Sequence, residues 1–233
     1  METRLFFLTL SLLAFVAAPL RAADTKYLPA GTPDALQLLP PPPVAGSPED
    51  RHDIDAAYRV YSVATPDQTA RSKDEVTLTI FHFAPVIGPW FQPGRFPKTE
   101  ALFKQVEADT KAVTDVAKNH WQRIRPYHLE PRLFPNAVEH KVRTDYSYPS
   151  GHSTRGTTFA LLLAELFPEK RDAILAKGRE TGWLRVLGGV HYPTDIYAGR
   201  VLGQAIAHEF LRSETFQRDL AAAGAELAAA PRD

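Results

Sequence analysis

Cysteine is absent from the 233 residues. That excludes disulfide staples, thiolate zinc sites, cysteine nucleophiles and redox dithiols, and leaves stability to packing. An excess of either charge is also missing, because 27 Lys and Arg balance 27 Asp and Glu. Without a basic surplus the chain is not built as a nucleic-acid binder, and it has no solvating acidic tail. Beyond the N-terminus no stretch reaches the roughly 18 uncharged apolar residues that a membrane-spanning helix needs. What remains is an ordinary globular composition, 44% hydrophobic and 23% charged, of a length that suits one domain. Proline alone is in surplus, at 20 residues, with Pro40 to Pro43 consecutive.

Residues 1–22 carry Arg4, an apolar stretch from Leu5 to Ala18, and small residues leading to Ala22. This pattern predicts a secretory signal peptide cut after Ala22, and hence a periplasmic protein with no membrane attachment after cleavage. Residues 23–46 are proline-rich and aperiodic, which predicts an extended arm without helix, lying on the body or on a neighbouring subunit of a homo-oligomer. Residues 47–233 are expected to form the single folded domain. Ser47-Pro48-Glu49-Asp50 reads as a helix start, with a hydroxyl cap, proline in the first turn and acids at the positive end of the dipole. Between Ser72 and Ile87 the pattern is mixed, with strand-like alternation of Val76, Leu78 and Ile80 inside helical flanks; the reading leans to helix. Further helices are expected over about 98–122, with Leu102, Val106, Val113, Val116 and Ala117 on its inner face, and over about 150–166, apolar nearly all round. Others cover about 170–187 and about 194–212, where Val201 joins the apolar face, while the alanine-rich 214–230 reads either as one more helix or as a frayed tail. The fold class is therefore all-α, a single-domain helical bundle.

Three short blocks carry the chemistry, each at a helix end. The first is Lys118-Asn-His-Trp-Gln-Arg-Ile-Arg125-Pro126. Residues seven apart on a helix share a face two turns apart, so Lys118 and Arg125 can converge on one anion. The second, Tyr148-Pro-Ser150-Gly151-His152-Ser153, precedes the apolar helix, where N–H groups near Ser150 and Gly151 can meet phosphate oxygens. The third runs from Arg185 through Gly188, Gly189 and His191 to Asp195. Pro193 and Thr194 start a helix there, with Thr194 as its cap, and Asp195 can bond one nitrogen of His191 and aim the other outward. The other histidines show no metal-ligand spacing. Trp121, Tyr127, Tyr146 and Tyr148 flank the blocks and read as core before pocket wall.

Taken together, the blocks resemble the class A bacterial non-specific acid phosphatases of the phosphatidic-acid phosphatase type 2 and haloperoxidase superfamily. That family's signature is Lys, six residues, Arg-Pro; then Pro-Ser-Gly-His; then Ser-Arg, five residues, His, three residues, Asp. Here it falls on Lys118, Arg125-Pro126, Pro149 to His152, Arg185, His191 and Asp195. Leu184 stands where the pattern has serine, which leaves a supporting hydroxyl contact unassigned.

The resemblance implies an active site at helix ends. His191 would be the nucleophile that forms a phosphohistidine, Asp195 its orienting partner and His152 the general acid and base. Lys118, Arg125, Arg185 and the N–H groups near Ser150 and Gly151 would hold the phosphate. The substrate would be a small-molecule phosphomonoester, with no metal or cofactor. Two rivals from other classes are a vanadium-dependent haloperoxidase, since vanadate mimics the phosphorus transition state, and a phosphate-binding protein without turnover. Binding alone would not need both histidines and Asp195.

Overall fold

The computed structural model describes residues 25–135 and 146–231. The predicted signal segment lies outside the described residues. Among them there is no strand, and no helix is long and apolar enough to cross a membrane. The chain runs through α1 (Ala35–Leu38), α2 (Pro48–Ser62), α3 (Pro66–Asp74), α4 (Ala84–Ile87), α5 (Pro97–Trp121), α6 (Gly151–Leu166), α7 (Arg171–Leu187), α8 (Pro193–Arg212) and α9 (Glu214–Ala228), with short 3₁₀ turns between some of them.

The nearly all-apolar α6 is central, as its composition requires, and packs on α7 and α8. Phe159, Leu162 and Leu163 of α6 meet Ile174 of α7 and Leu202 and Ile206 of α8 in the main core. A smaller cluster forms where α7 ends and α8 begins, around Val186 and Ile196 with Ala57 of α2 and Leu133. The α7–α8 loop that carries His191 lies at this end of the bundle.

Close approach of α8 to α6 depends on glycine. A Cβ at Gly199 would stand 2.7 Å from the Ser150 carbonyl oxygen, and one at Gly203 would stand 2.5 Å from that of Thr154. Hydrogen bonds complete the seam: the Ser150 N–H donates to the Asp195 carbonyl (3.0 Å) and the Ser153 hydroxyl to that of Ile196 (2.7 Å). The starts of two helices are thereby locked together, and those starts hold the second and third sequence blocks.

Several expectations change. The arm is not helix-free, because Asp34 caps the short α1 by accepting from the N–H groups of Leu36 and Gln37. It lies on the body: Leu39 is buried and the Tyr148 hydroxyl donates to the Pro40 carbonyl (2.6 Å). Residues 72–87 are not one helix; α3 ends at Asp74, and a non-helical stretch precedes a 3₁₀ turn at Ile80–Phe83 and α4. Val116 and Val201 face outward, whereas the tail forms α9 and buries Phe216, Ala223 and Leu227.

Candidate active site

The first block does not lie on one helix. α5 ends at Trp121, and Gln122 takes a left-handed conformation (φ 49°) that turns the chain sharply. Arg125 is extended ahead of Pro126, which disfavours helix for the residue before it. The expected two-turn spacing is therefore replaced by a helix end and a turn, although both cations still reach the same end of the bundle. Lys118, in the last turn where the helix dipole favours a cation, is buried and donates to the Tyr146 and Ser147 carbonyls. Its Cε lies 3.9 Å from where a Gly151 Cβ would stand.

Arg125 Nη1 donates to the Val190 carbonyl (2.7 Å) and lies 3.1 Å from His191 Nε2. His191 Nδ1 is 2.9 Å from Asp195 Oδ2. A guanidinium can only donate, so Nε2 is the acceptor and the proton sits on Nδ1, held by Asp195. The imidazole is thus neutral, with its lone pair facing a cation. Asp195 is fully buried, and its carboxylate also accepts from the Ser147 hydroxyl, the Tyr192 N–H (3.1 Å) and Arg123 Nη1 (2.9 Å).

Two expectations about the helix starts are corrected. The Ser150 N–H is taken by the Asp195 carbonyl, so at this helix start the anion-facing donors come from later in the first turn, beginning at Gly151. Ser150 acts as the cap of α6, its hydroxyl accepting from the Ser153 N–H (3.3 Å). Thr194 does not cap α8; its hydroxyl donates to Asp53, and the Asp195 carboxylate takes the Tyr192 N–H instead.

His152 meets the segment just after α3, and Arg185 meets the last turn of α3 itself. His152 Nε2 lies 3.0 Å from the Glu75 carbonyl and 3.1 Å from that of Val76, so Nε2 carries a proton and donates to them. Arg185 Nη2 donates to the carbonyl of Ser72 and lies 3.2 Å from its hydroxyl, which itself donates to the Leu184 carbonyl (2.9 Å). A hydroxyl from α3 thus lies beside Arg185, while the Leu184 side chain is buried.

The sequence reading passed over Arg123, Ser147, Ser72, Asp50 and Asp53. Arg123 Nη2 pairs with Asp50 (3.1 Å) and Asp53 (2.8 Å), Nη1 with Thr194 (2.7 Å) and Asp195, and its guanidinium stacks 3.6 Å from the Tyr192 ring. Burial opposes the Arg123 charge, but Asp195 and Asp53 outweigh it and raise its pKa. Burial likewise pushes the Asp53 carboxyl above its ordinary value, against Thr194 and Arg123. A signal was available in a second arginine two positions before Arg125 and in two aspartates three apart on α2; for Ser72 there was none. Of the flanking aromatics, Tyr148 packs edge-on against Trp121 in the core.

A sequence signature of the PAP2 superfamily matches residues 107–219, the span that holds all three blocks. The non-specific acid phosphatase of Salmonella typhimurium is 30% identical over 235 aligned positions, covering 95% of this chain and 90% of that one. The chain belongs to the PAP2 superfamily. An acid phosphatase of Zymomonas mobilis is 28% identical, covering 83% of this PAP2 chain and 75% of its own. In fold, the chain is similar to a bacterial vanadium-dependent iodoperoxidase, with a TM-score of 0.55, 19% identity, and coverage of 77% of this chain and 53% of that one.

Proposed function

We propose that this PAP2 protein is an exported acid phosphatase that hydrolyses phosphomonoesters of broad range, including nucleotides, sugar phosphates and aryl phosphates, through a phosphohistidine on His191. The observation that carries the reading is the neutral His191, its Nδ1–H on Asp195 and its Nε2 lone pair beside Arg125. The kinship with proteins named acid phosphatases supports it.

A substrate phosphate takes the donors of Arg125, Arg185, Lys118 and the first-turn N–H groups at Gly151, with Ser150 shaping that turn. His191 Nε2 attacks phosphorus as the ester P–O bond breaks, and the leaving alkoxide takes a proton from His152 Nδ1. Asp195 stabilises the positive imidazole ring that results. His152 then removes a proton from water, whose oxygen attacks phosphorus and releases inorganic phosphate from Nε2. An alcohol in place of that water gives phosphotransfer. Charge stabilisation falls to the three cations, so turnover is expected to persist in chelator. His152 must start protonated and His191 neutral, which sets an acidic optimum. Residues 1–22 act as the export signal, and the acid-active enzyme works in the periplasm.

The test uses p-nitrophenyl phosphate. His191→Ala is expected to lose at least a thousandfold in kcat while keeping its fold. With ³²P-labelled substrate and alkaline detergent quench, which spares the acid-labile P–N bond, His152→Ala should accumulate label on His191. Near-normal turnover by His191→Ala, or label on another residue, rejects the mechanism.

A further inference from the structure

Asp195 turns Oδ2 to His191, while its Oδ1 is held by Arg123, at 2.9 Å, within a buried cluster of charges. Arg123 is the hub of that cluster. It comes from the turn after α5, it binds Asp50 and Asp53 of α2 through Nη2, and it binds Thr194 and Asp195 at the start of α8 through Nη1. Asp53 closes the ring by accepting from the Thr194 hydroxyl and, at 3.3 Å, from its N–H. All three carboxylates and the guanidinium are buried.

One cation among three carboxylates leaves the cluster with surplus negative charge, and taking such groups out of water is costly even when they are paired. Apolar residues of similar volume would hold α2 against α8 at least as well, so packing alone does not account for the arrangement. What apolar residues could not do is fix the direction of a carboxylate. A planar guanidinium that bonds Asp195 on one edge and Asp50 with Asp53 on the other allows the Asp195 carboxylate one orientation, with Oδ2 aimed at His191 Nδ1. The surplus negative charge behind Asp195 also favours the positive ring that His191 becomes when it carries the phosphoryl group.

We propose that Arg123, with Asp50 and Asp53, is a positioning cluster for the His191–Asp195 pair. It orients the carboxylate and stabilises the charged phosphohistidine, and it makes no contact with the substrate. The inference rests on the phosphatase reading given above. It predicts that the cluster acts on the chemical step and not on phosphate affinity, because the phosphate donors at Lys118, Arg125 and Arg185 belong to other contacts.

The experiment measures kcat, KM for p-nitrophenyl phosphate and the inhibition constant of inorganic phosphate in the full-length protein and two variants, with folding checked by circular dichroism. Arg123→Lys keeps the charge but cannot bond both edges of the cluster. Its kcat should fall ten- to a hundredfold, with KM and the phosphate inhibition constant within about threefold of wild type. Asp53→Asn keeps one oxygen to accept from the Thr194 hydroxyl and Arg123, gives up the 3.3 Å contact with the Thr194 N–H and removes one negative charge, so its kcat should fall about three- to tenfold, again without a change in KM. The His191 environment is then set by Asp195 and Asp50 against Arg123, Arg125, Lys118 and Arg185. Losing the charge of Asp53 should lower the His191 pKa and move the acidic limb of the kcat/KM profile to lower pH. If Arg123→Lys does not fold, Asp53→Asn decides. A folded variant with unchanged kcat, or a loss confined to KM and the phosphate inhibition constant, overturns the inference. An inactive wild type overturns the phosphatase reading and this inference with it, whereas an active wild type with indifferent variants overturns this inference alone.

Discussion

Ser72 and Leu184 meet at Arg185, where one hydroxyl serves both the helix carbonyl and the guanidinium. The Ser72 hydroxyl donates to the Leu184 carbonyl and lies 3.2 Å from Arg185 Nη2. A hydrogen bond to a charged group contributes about 1.5 kcal/mol, close to a factor of ten in an equilibrium. Ser72→Ala should therefore raise KM and the phosphate inhibition constant by about three- to tenfold, with a smaller effect on kcat. Its melting temperature should stay close to wild type, because the Leu184 carbonyl keeps the Gly188 N–H (2.9 Å). Unchanged phosphate inhibition would show that Arg185 is held without this hydroxyl. The contrast with Arg123→Lys is informative, since on the proposed mechanism one contact acts through a phosphate cation and the other through the nucleophile's partner. Arg123 stood two positions before Arg125 in the sequence, but Ser72 had no spacing to mark it, because it acts on a residue distant in the chain.

At the scale of elements, the site exists because α6 and α8 touch backbone to backbone. Gly203 is where they leave no room: a Cβ there would stand 2.5 Å from the Thr154 carbonyl and 2.8 Å from Thr157 Cβ. Gly203→Ala must push α8 away from α6, and overpacking of this kind costs about 1–3 kcal/mol. The displacement would also loosen the Ser150 to Asp195 bond, so kcat should fall along with the melting temperature. Gly224→Ala on α9 is the control. Its Cβ meets only Leu166 Cδ2, at 3.5 Å, an ordinary contact, and stability should hold or rise by a few tenths of a kcal/mol to about 1. Equal losses at both positions would mean that general helix effects, not the α6–α8 seam, set the cost. The apolar faces of α5 and α8 and the nearly all-apolar α6 were legible from the sequence, but the glycine seam was not, because a glycine on a helix face carries no sign of what lies opposite it.

At the scale of the whole molecule, the two ends of the described chain are tied to α5 by carboxylates. Glu226 of α9 accepts from the N–H groups of Lys98 and Thr99 (both 2.9 Å) and from the Thr99 hydroxyl (2.8 Å), thereby capping α5 from the far end of the sequence. Burial raises the Glu226 pKa, but the N–H groups of Lys98 and Thr99 and the Thr99 hydroxyl outweigh it, and the carboxyl sits below its ordinary value. Asp219 is held down by the Tyr27 hydroxyl and then by Lys26. A depressed folded pKa means stabilisation that is complete above the unfolded value, near 4, and is lost as pH falls through the folded value. Wild-type stability should thus hold at the mildly acidic pH where the proposed chemistry runs and decline below about pH 4. Glu226→Gln should melt about 3 °C lower at pH 7, as expected for a lost helix cap of about 1 kcal/mol, and the gap should close as the pH falls through the depressed value of the Glu226 carboxyl. A gap that does not shrink on acidification would rule out this origin. None of these ties could be read from local pattern, since each joins residues more than 100 positions apart. By itself the sequence determined the helical class and the three chemical blocks from which the roles of His152, His191 and Asp195 are proposed, because periodicity and motif spacing are local properties of the chain. Only the tertiary structure decided that Arg125 lies beyond the end of α5, that the Ser72 hydroxyl lies beside Arg185, and that Arg123 stands behind Asp195. Those outcomes depend on which buried charges and carbonyls find partners across the fold, and burial is a property of the packed molecule alone.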